Sequence, residues 1–186
     1  MRLEEDLKVL LNDEEFDCYR EVLERFGFGL KMQGTILTNI YPFEKFLRDD
    51  RPYIERWQDD VKWHKRNRSL SAFQISLGMG KRLIESGGST ALVYAGSSFA
   101  RTKLYCWIMS YVVPERMVDS WVVTELDRRS MTNPRTAVKV ADLRKRWKTT
   151  KGSNKDRHQA GAAIAMTLGY RITRLLYDEL LKSRKS

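Results

Sequence analysis

Serine placed on a glycine turn after a short apolar run can act as a nucleophile, and this chain has two such places. Within "KRLIESGGSTALVYAGSSFARTKLY", residues 81–105, the clusters Ser86-Gly87-Gly88-Ser89 and Gly96-Ser97-Ser98 bracket the run "TALVYA". Glycines beside a serine let a substrate backbone approach without meeting a Cβ. The same residues also make a type I′ or II′ turn, and "KRLIE" and "TALVYA" are β-prone runs on either side of it. Ser97 and Ser98 read as helix N-caps. No His-Asp pattern accompanies the serines, so a hydrolase triad has no support. Residue types alone leave Ser86 open between nucleophile and turn.

Metal chemistry has little to draw on. His64 and His158 are isolated, and the acid pairs Asp49-Asp50 and Asp59-Asp60 read as solvated carboxylates, so no metal ligands are assigned. Cys18 and Cys106 lie far apart with no C-x-x-C and read as reduced packing residues of a cytoplasmic protein. The N-terminus is acidic without an apolar signal core, and no run reaches a membrane span.

Charge is more informative. The 186 residues carry a net charge of +10, unevenly spread. Residues 1–93 hold 15 Lys/Arg and 16 Asp/Glu, whereas residues 94–186 hold 19 and 8. A basic half suits a polyanionic partner, nucleic acid above all. "RKRWKTTKGSNK" concentrates it, with Arg144, Lys145, Arg146, Lys148 and Lys151 as candidate phosphate contacts. "RPYIERWQDDVKWHKRNR" interleaves Tyr53, Trp57 and Trp63 with six cations. Exposed, this pattern suits single strands or folded RNA; as a helix started by Asp50 and Pro52, it buries Tyr53 and Trp57 instead.

The elements that must position these groups are mostly helical. Phe16, Tyr19, Leu23 and Phe26 repeat at three and four residues, capped by Asn12 or Asp13 and stopped at "GFG". A second apolar helix, about Met32 to Ile40, ends at Pro42. "RFGFGLKMQGTIL" therefore reads as a helix-hairpin-helix, with Gly27, Gly29 and Lys31 able to meet a phosphate at a helix start; the alternative is a helical hairpin that touches nothing. "LSAFQISLGM" is a short helix, and "SSFARTKLYCWIMSYVV" a clear one bearing Arg101 and Lys103. "ERMVDSWVVTELDRR" follows, with Val118 on its apolar side, and breaks at Asn133-Pro134. "KTTKGSNK" reads as loop. A last helix runs from about Asp156 to Lys182, where Gly161, Ala165 and Gly169 would let a neighbouring backbone approach. The expected fold is mainly α: a helical domain with a helix-hairpin-helix and one short β-hairpin.

Taken in order, "LERFGFGLKMQGTILTNI", "LSAFQISLGMG", "RLIESGGSTALVYAGSSFARTKLYCWIM" and "AGAAIAMTLGYRITRLLYDELLK" resemble the C-terminal, catalytic-serine half of the bridge-RNA-guided insertion-sequence transposases. The resemblance covers roughly residues 15–113 and 155–182 and lies in order and spacing, not in one motif. It implies connecting helices at 1–25, a transposase-type domain at 26–182 with an insertion at about 47–68, and a tail at 183–186. It places Ser86 on the family's nucleophile, which takes a DNA strand as a phosphoserine. It implies DNA, a structured guide RNA, a RuvC-like partner chain and a homo-oligomer as partners. The family's acidic site for a divalent metal, magnesium, belongs to the RuvC-like half, which has no counterpart in these residues. Two readings follow: a transposase domain with a serine nucleophile, inactive without a RuvC-like partner, and a non-catalytic DNA- or RNA-binding module derived from one.

Overall fold

Ile164, Leu168, Ile172 and Leu175 recur at three- and four-residue spacing and are all buried. They form the inner stripe of a 30-residue helix running from Asn154 to Ser183, about 45 Å at 1.5 Å per residue. The computed structural model describes residues 2–86, 88–114, 120–132, 138–150 and 152–184. In chain order its elements are α1 (Arg2–Leu11), α2 (Asp17–Arg25), α3 (Leu30–Ile40), β1 (Ile54–Gln58), β2 (Trp63–Asn67), α4 (Arg68–Ser76), β3 (Gly80–Ser86), β4 (Ser89–Ala95), α5 (Ser98–Trp107), α6 (Trp121–Thr132), α7 (Val140–Thr149) and α8 (Asn154–Ser183). A π-helical turn, Ile108–Val112, prolongs α5. The fold is mainly α, with two separate antiparallel hairpins.

Helix α8 is the axis. α2, α4, α5, α6 and α7 all pack on it. Phe43, Phe46, Phe73 and Tyr177 form one aromatic cluster, with ring centroids 5.2 to 6.1 Å apart. Side-chain caps start several elements: Asp13 accepts from the Glu15 N–H, Asn67 from Leu70, Ser97 from Ala100, and Ser153 forms a capping box with Asp156.

Several expectations need correction. Residues 54–67 are a β-hairpin, not a helix: Asp59 Oδ1 accepts from the N–H groups of Val61 and Lys62 at 3.0 and 2.8 Å, and this turn folds β1 onto β2. So there are two hairpins where one was expected. Residues 140–149 form a helix, α7, in the basic segment, and the expected loop is shorter than "KTTKGSNK", lying between Thr149 and Asn154. Small residues on α8 admit side chains, not a backbone. A Cβ at Gly161 would lie 3.0 Å from the Trp147 ring, and one at Gly169 2.8 Å from the Met79 sulfur. Cys106 is exposed rather than packed, although both cysteines are free. Within residues 1–25, α2 buries Tyr19, Val22 and Leu23 in the common core. Val118 and the Asn133-Pro134 break lie outside the described residues.

Candidate nucleic-acid interface

The hairpin that ends at Ser86 is rooted by glycines. Gly78 and Gly96 have φ of +73° and +88°. A Cβ on Gly96 would stand 1.5 Å from the Ile75 carbonyl oxygen, and one on Gly78 2.2 Å from that of Ser97. Only glycine lets the end of α4 and the start of α5 meet this closely. Arg101 Nη1 donates to the Gly78 carbonyl at 3.1 Å. Arg101 is therefore half-committed to holding this root.

Beyond the root the ribbon leaves the body. Lys81 to Glu85, with Thr90 and Ala91 opposite them, are exposed on both of its faces, including Leu83 at 57%. β3 closes at Ser86, paired with Ser89, and Gly88 in the turn has φ of +80°. Gly87 and the hydroxyls of Ser86 and Ser89 lie outside the described residues. Register adds a constraint: the Ser86 position is in phase with Arg82 and Ile84, and out of phase with Lys81 and Tyr94.

Lys81 and Tyr94 belong to a groove. Lys81 Nζ lies 5.0 Å and the Arg101 guanidinium carbon 5.3 Å from the Tyr94 ring centroid. Tyr94 faces Met166, Thr167 and Tyr170 of α8 across a cavity of about 430 Å³. Lys103, one turn along α5, sits 5.2 Å from the exposed Phe99 ring. Cations held against exposed aromatic rings offer both phosphate neutralisation and base stacking.

The glycine hairpin is well defined. Gly27, at φ +70°, follows the end of α2. The Phe28 N–H bonds the Leu23 carbonyl at 3.3 Å, and the Gly27 N–H bonds that of Glu24 at 2.8 Å, closing a Schellman turn. Phe28 is buried edge-on against Trp107, which fixes the turn to α5. Gly29 is the N-cap of α3 with no side-chain cap; a Cβ there would meet no atom within 4 Å. The start of α3 is thus open, but Lys31 beside it pairs with Glu4 of α1 at 2.5 Å.

Arg144 is a correction. It is 6% exposed, and its Nε donates to the Val112 carbonyl at 2.9 Å. The guanidinium caps the π-turn after α5 and cannot reach a phosphate. Lys145, Arg146 and Lys148 are exposed on α7, and Lys151 lies outside the described residues. Trp147, the aromatic of this segment, packs over Gly161.

The sequence reading left out of its site the ribbon β1–β2. Trp57 and Trp63 are 43% and 69% exposed, so the buried-helix alternative does not hold. Ile54-Glu55-Arg56-Trp57 shows no apolar–polar alternation, so the Asp59-Asp60 turn between two short aromatic-bearing runs is the one signal for a hairpin here. No group of three or more His, Cys, Asp or Glu among the described residues could hold a metal ion, and no step through a metal is assigned to this chain. No helix among the described residues is long and apolar enough to cross a membrane. Comparison with family models, curated proteins and solved structures returned no match.

Proposed function

We propose that this chain is a nucleic-acid-binding domain of the transposase type, and that DNA lies along the groove between the root of β3–β4 and α8. The observation that carries this is Lys81, held with Arg101 against Tyr94 at the edge of the groove that Tyr170 lines. Lys145, Arg146 and Lys148 on α7, which also packs on α8, add positive surface, whereas Lys103 lies against Phe99 on the side of α5 that faces α1 and α3. Such a site binds the phosphate backbone without reading sequence. The test is affinity for a duplex as a function of salt. Each lost phosphate contact should lower the slope of log K against log salt by about 0.9. Lys81→Gln should reduce it by about 0.9. An unchanged slope, or no binding at low salt, refutes the groove.

Ser86 is the position at which strand-transfer chemistry would act, with a RuvC-like partner supplying the metal site and a guide RNA the target. The second reading is a binding module that forms no covalent bond. With those partners supplied, a covalent protein–DNA adduct that disappears in Ser86→Ala would establish the first reading, and the absence of an adduct the second.

A further inference from the structure

The two faces of the β1–β2 ribbon differ in a way that points to a ligand. Cross-strand partners share a face, so register sorts the side chains. One face is internally satisfied. Trp57 stacks on His64 at 5.0 Å and 10°, His64 pairs with Asp59, and Glu55 bonds Arg68 at 2.6 Å with Arg66 opposite it. The other face is not. Arg56 stands directly opposite Lys65, and Gln58 opposite Trp63. Arg56, Lys65, Gln58 and Trp63 are all exposed, and that face carries no acid along the paired strands. Like charges directly opposed on a ribbon destabilise it; an anion between them removes that repulsion. Trp63 lies two residues from Lys65 on the same face, with its ring 69% exposed.

We infer that this face binds single-stranded DNA, with an unstacked base on Trp63 and the flanking phosphates on Arg56 and Lys65. Paired bases hide their rings from such a platform, whereas single strands offer them. The choice of DNA over RNA rests on the proposed function. A carboxylate partner would satisfy the cations but leave the indole unused. The inference extends the nucleic-acid reading to a second surface, and the two can fail separately.

The experiment is fluorescence anisotropy with a labelled oligothymidylate of about 12 nucleotides, a duplex, and an oligouridylate of equal length. Trp63→Ala should weaken oligothymidylate binding about tenfold, Trp63→Phe should retain most of it, and duplex affinity should hold. Arg56→Gln with Lys65→Gln should lower the single-strand salt slope by about 1.4, the value for two phosphates. The inference is overturned if Trp63→Ala weakens oligothymidylate by less than about twofold, if it weakens duplex equally, or if oligouridylate is clearly preferred. Duplex binding that responds to Lys81, with single strands indifferent to Trp63, removes the ribbon and keeps the groove. Single-strand loss in Trp63→Ala, with duplex indifferent to Lys81, does the reverse.

Discussion

Gly27 and Gly29 stand two residues apart, and their backbones demand opposite outcomes on substitution. Gly27 has φ of +70°. An alanine there pays about 1–2 kcal/mol for the left-handed conformation and recovers about 0.4–1 kcal/mol from a less flexible unfolded chain. Gly27→Ala should therefore lose roughly 1 kcal/mol. Gly29 sits at φ −67° and ψ 163°, which any residue adopts, and a Cβ there has open space. Gly29→Ser gains the same unfolded-state contribution and a few tenths of a kcal/mol as an N-cap, close to 1 kcal/mol in total. At about 2–4 °C per kcal/mol for a chain of this size, the two melting temperatures should separate by roughly 4–8 °C, on either side of wild type. Circular dichroism with urea and thermal unfolding measures both. Equal losses in the two variants would refute the turn geometry. Gly29→Asp extends the test to binding, because it caps α3 equally well but sets a carboxylate where a phosphate would sit. Its stability should rise while DNA affinity falls several-fold; undiminished affinity would show that the hairpin touches no phosphate.

Arg144→Met should change stability by no more than about 1 kcal/mol, since the lost bond to Val112 is offset by removing a buried charge. Its DNA affinity and salt slope should match wild type, whereas Lys145→Glu with Arg146→Glu should weaken binding; a lower slope in Arg144→Met would restore Arg144 to the interface. Glu125, bonded by Arg128 first and also by Arg129, is pushed down to about 2 from 4.5. Its carboxylate therefore adds stability fully present above about pH 4.5 and lost as pH falls toward 2, on the order of 1–3 kcal/mol. Urea midpoints taken across that window should converge between wild type and Glu125→Gln; parallel curves would mean that the Arg128–Glu125–Arg129 cluster contributes nothing.

Much of this architecture is readable from periodicity. The α8 stripe, the "GFG" stop, the "SGGS" hairpin and the Ser97 cap all follow from local chemistry. Residues 50–67 mislead because Tyr53, Trp57 and Val61 keep helical spacing while Asp59 closes a turn between them. The helical spacing runs straight across that turn, and the turn decides. Arg144 misleads for another reason: its neighbours in "RKRW" are exposed cations, and only the tertiary packing of α7 turns it toward an orphan carbonyl 32 residues earlier. The phase of Ser86 within its ribbon depends on strand register, which the serine-glycine spacing does not encode.

The long axial helix also constrains how the chain reaches this state. Tyr177 completes the ring cluster of Phe43, Phe46 and Phe73, and Arg25 reaches Glu179 across 154 positions of sequence. Until residues 154–183 dock, the ring cluster lacks Tyr177 and the inner face of α2 lacks its main packing partner. Contacts so distant along the chain close late and slowly. The earlier helices thus share a rate-limiting event with the last one, and the body should open as one cooperative unit. Amide exchange would register this as common protection of α2, α4 and α8; independently exchanging helices would argue that the assembly is looser than its packing implies. The two exposed ribbons, rooted on the short helix α4, bury little of that core, and their amides should exchange before it opens.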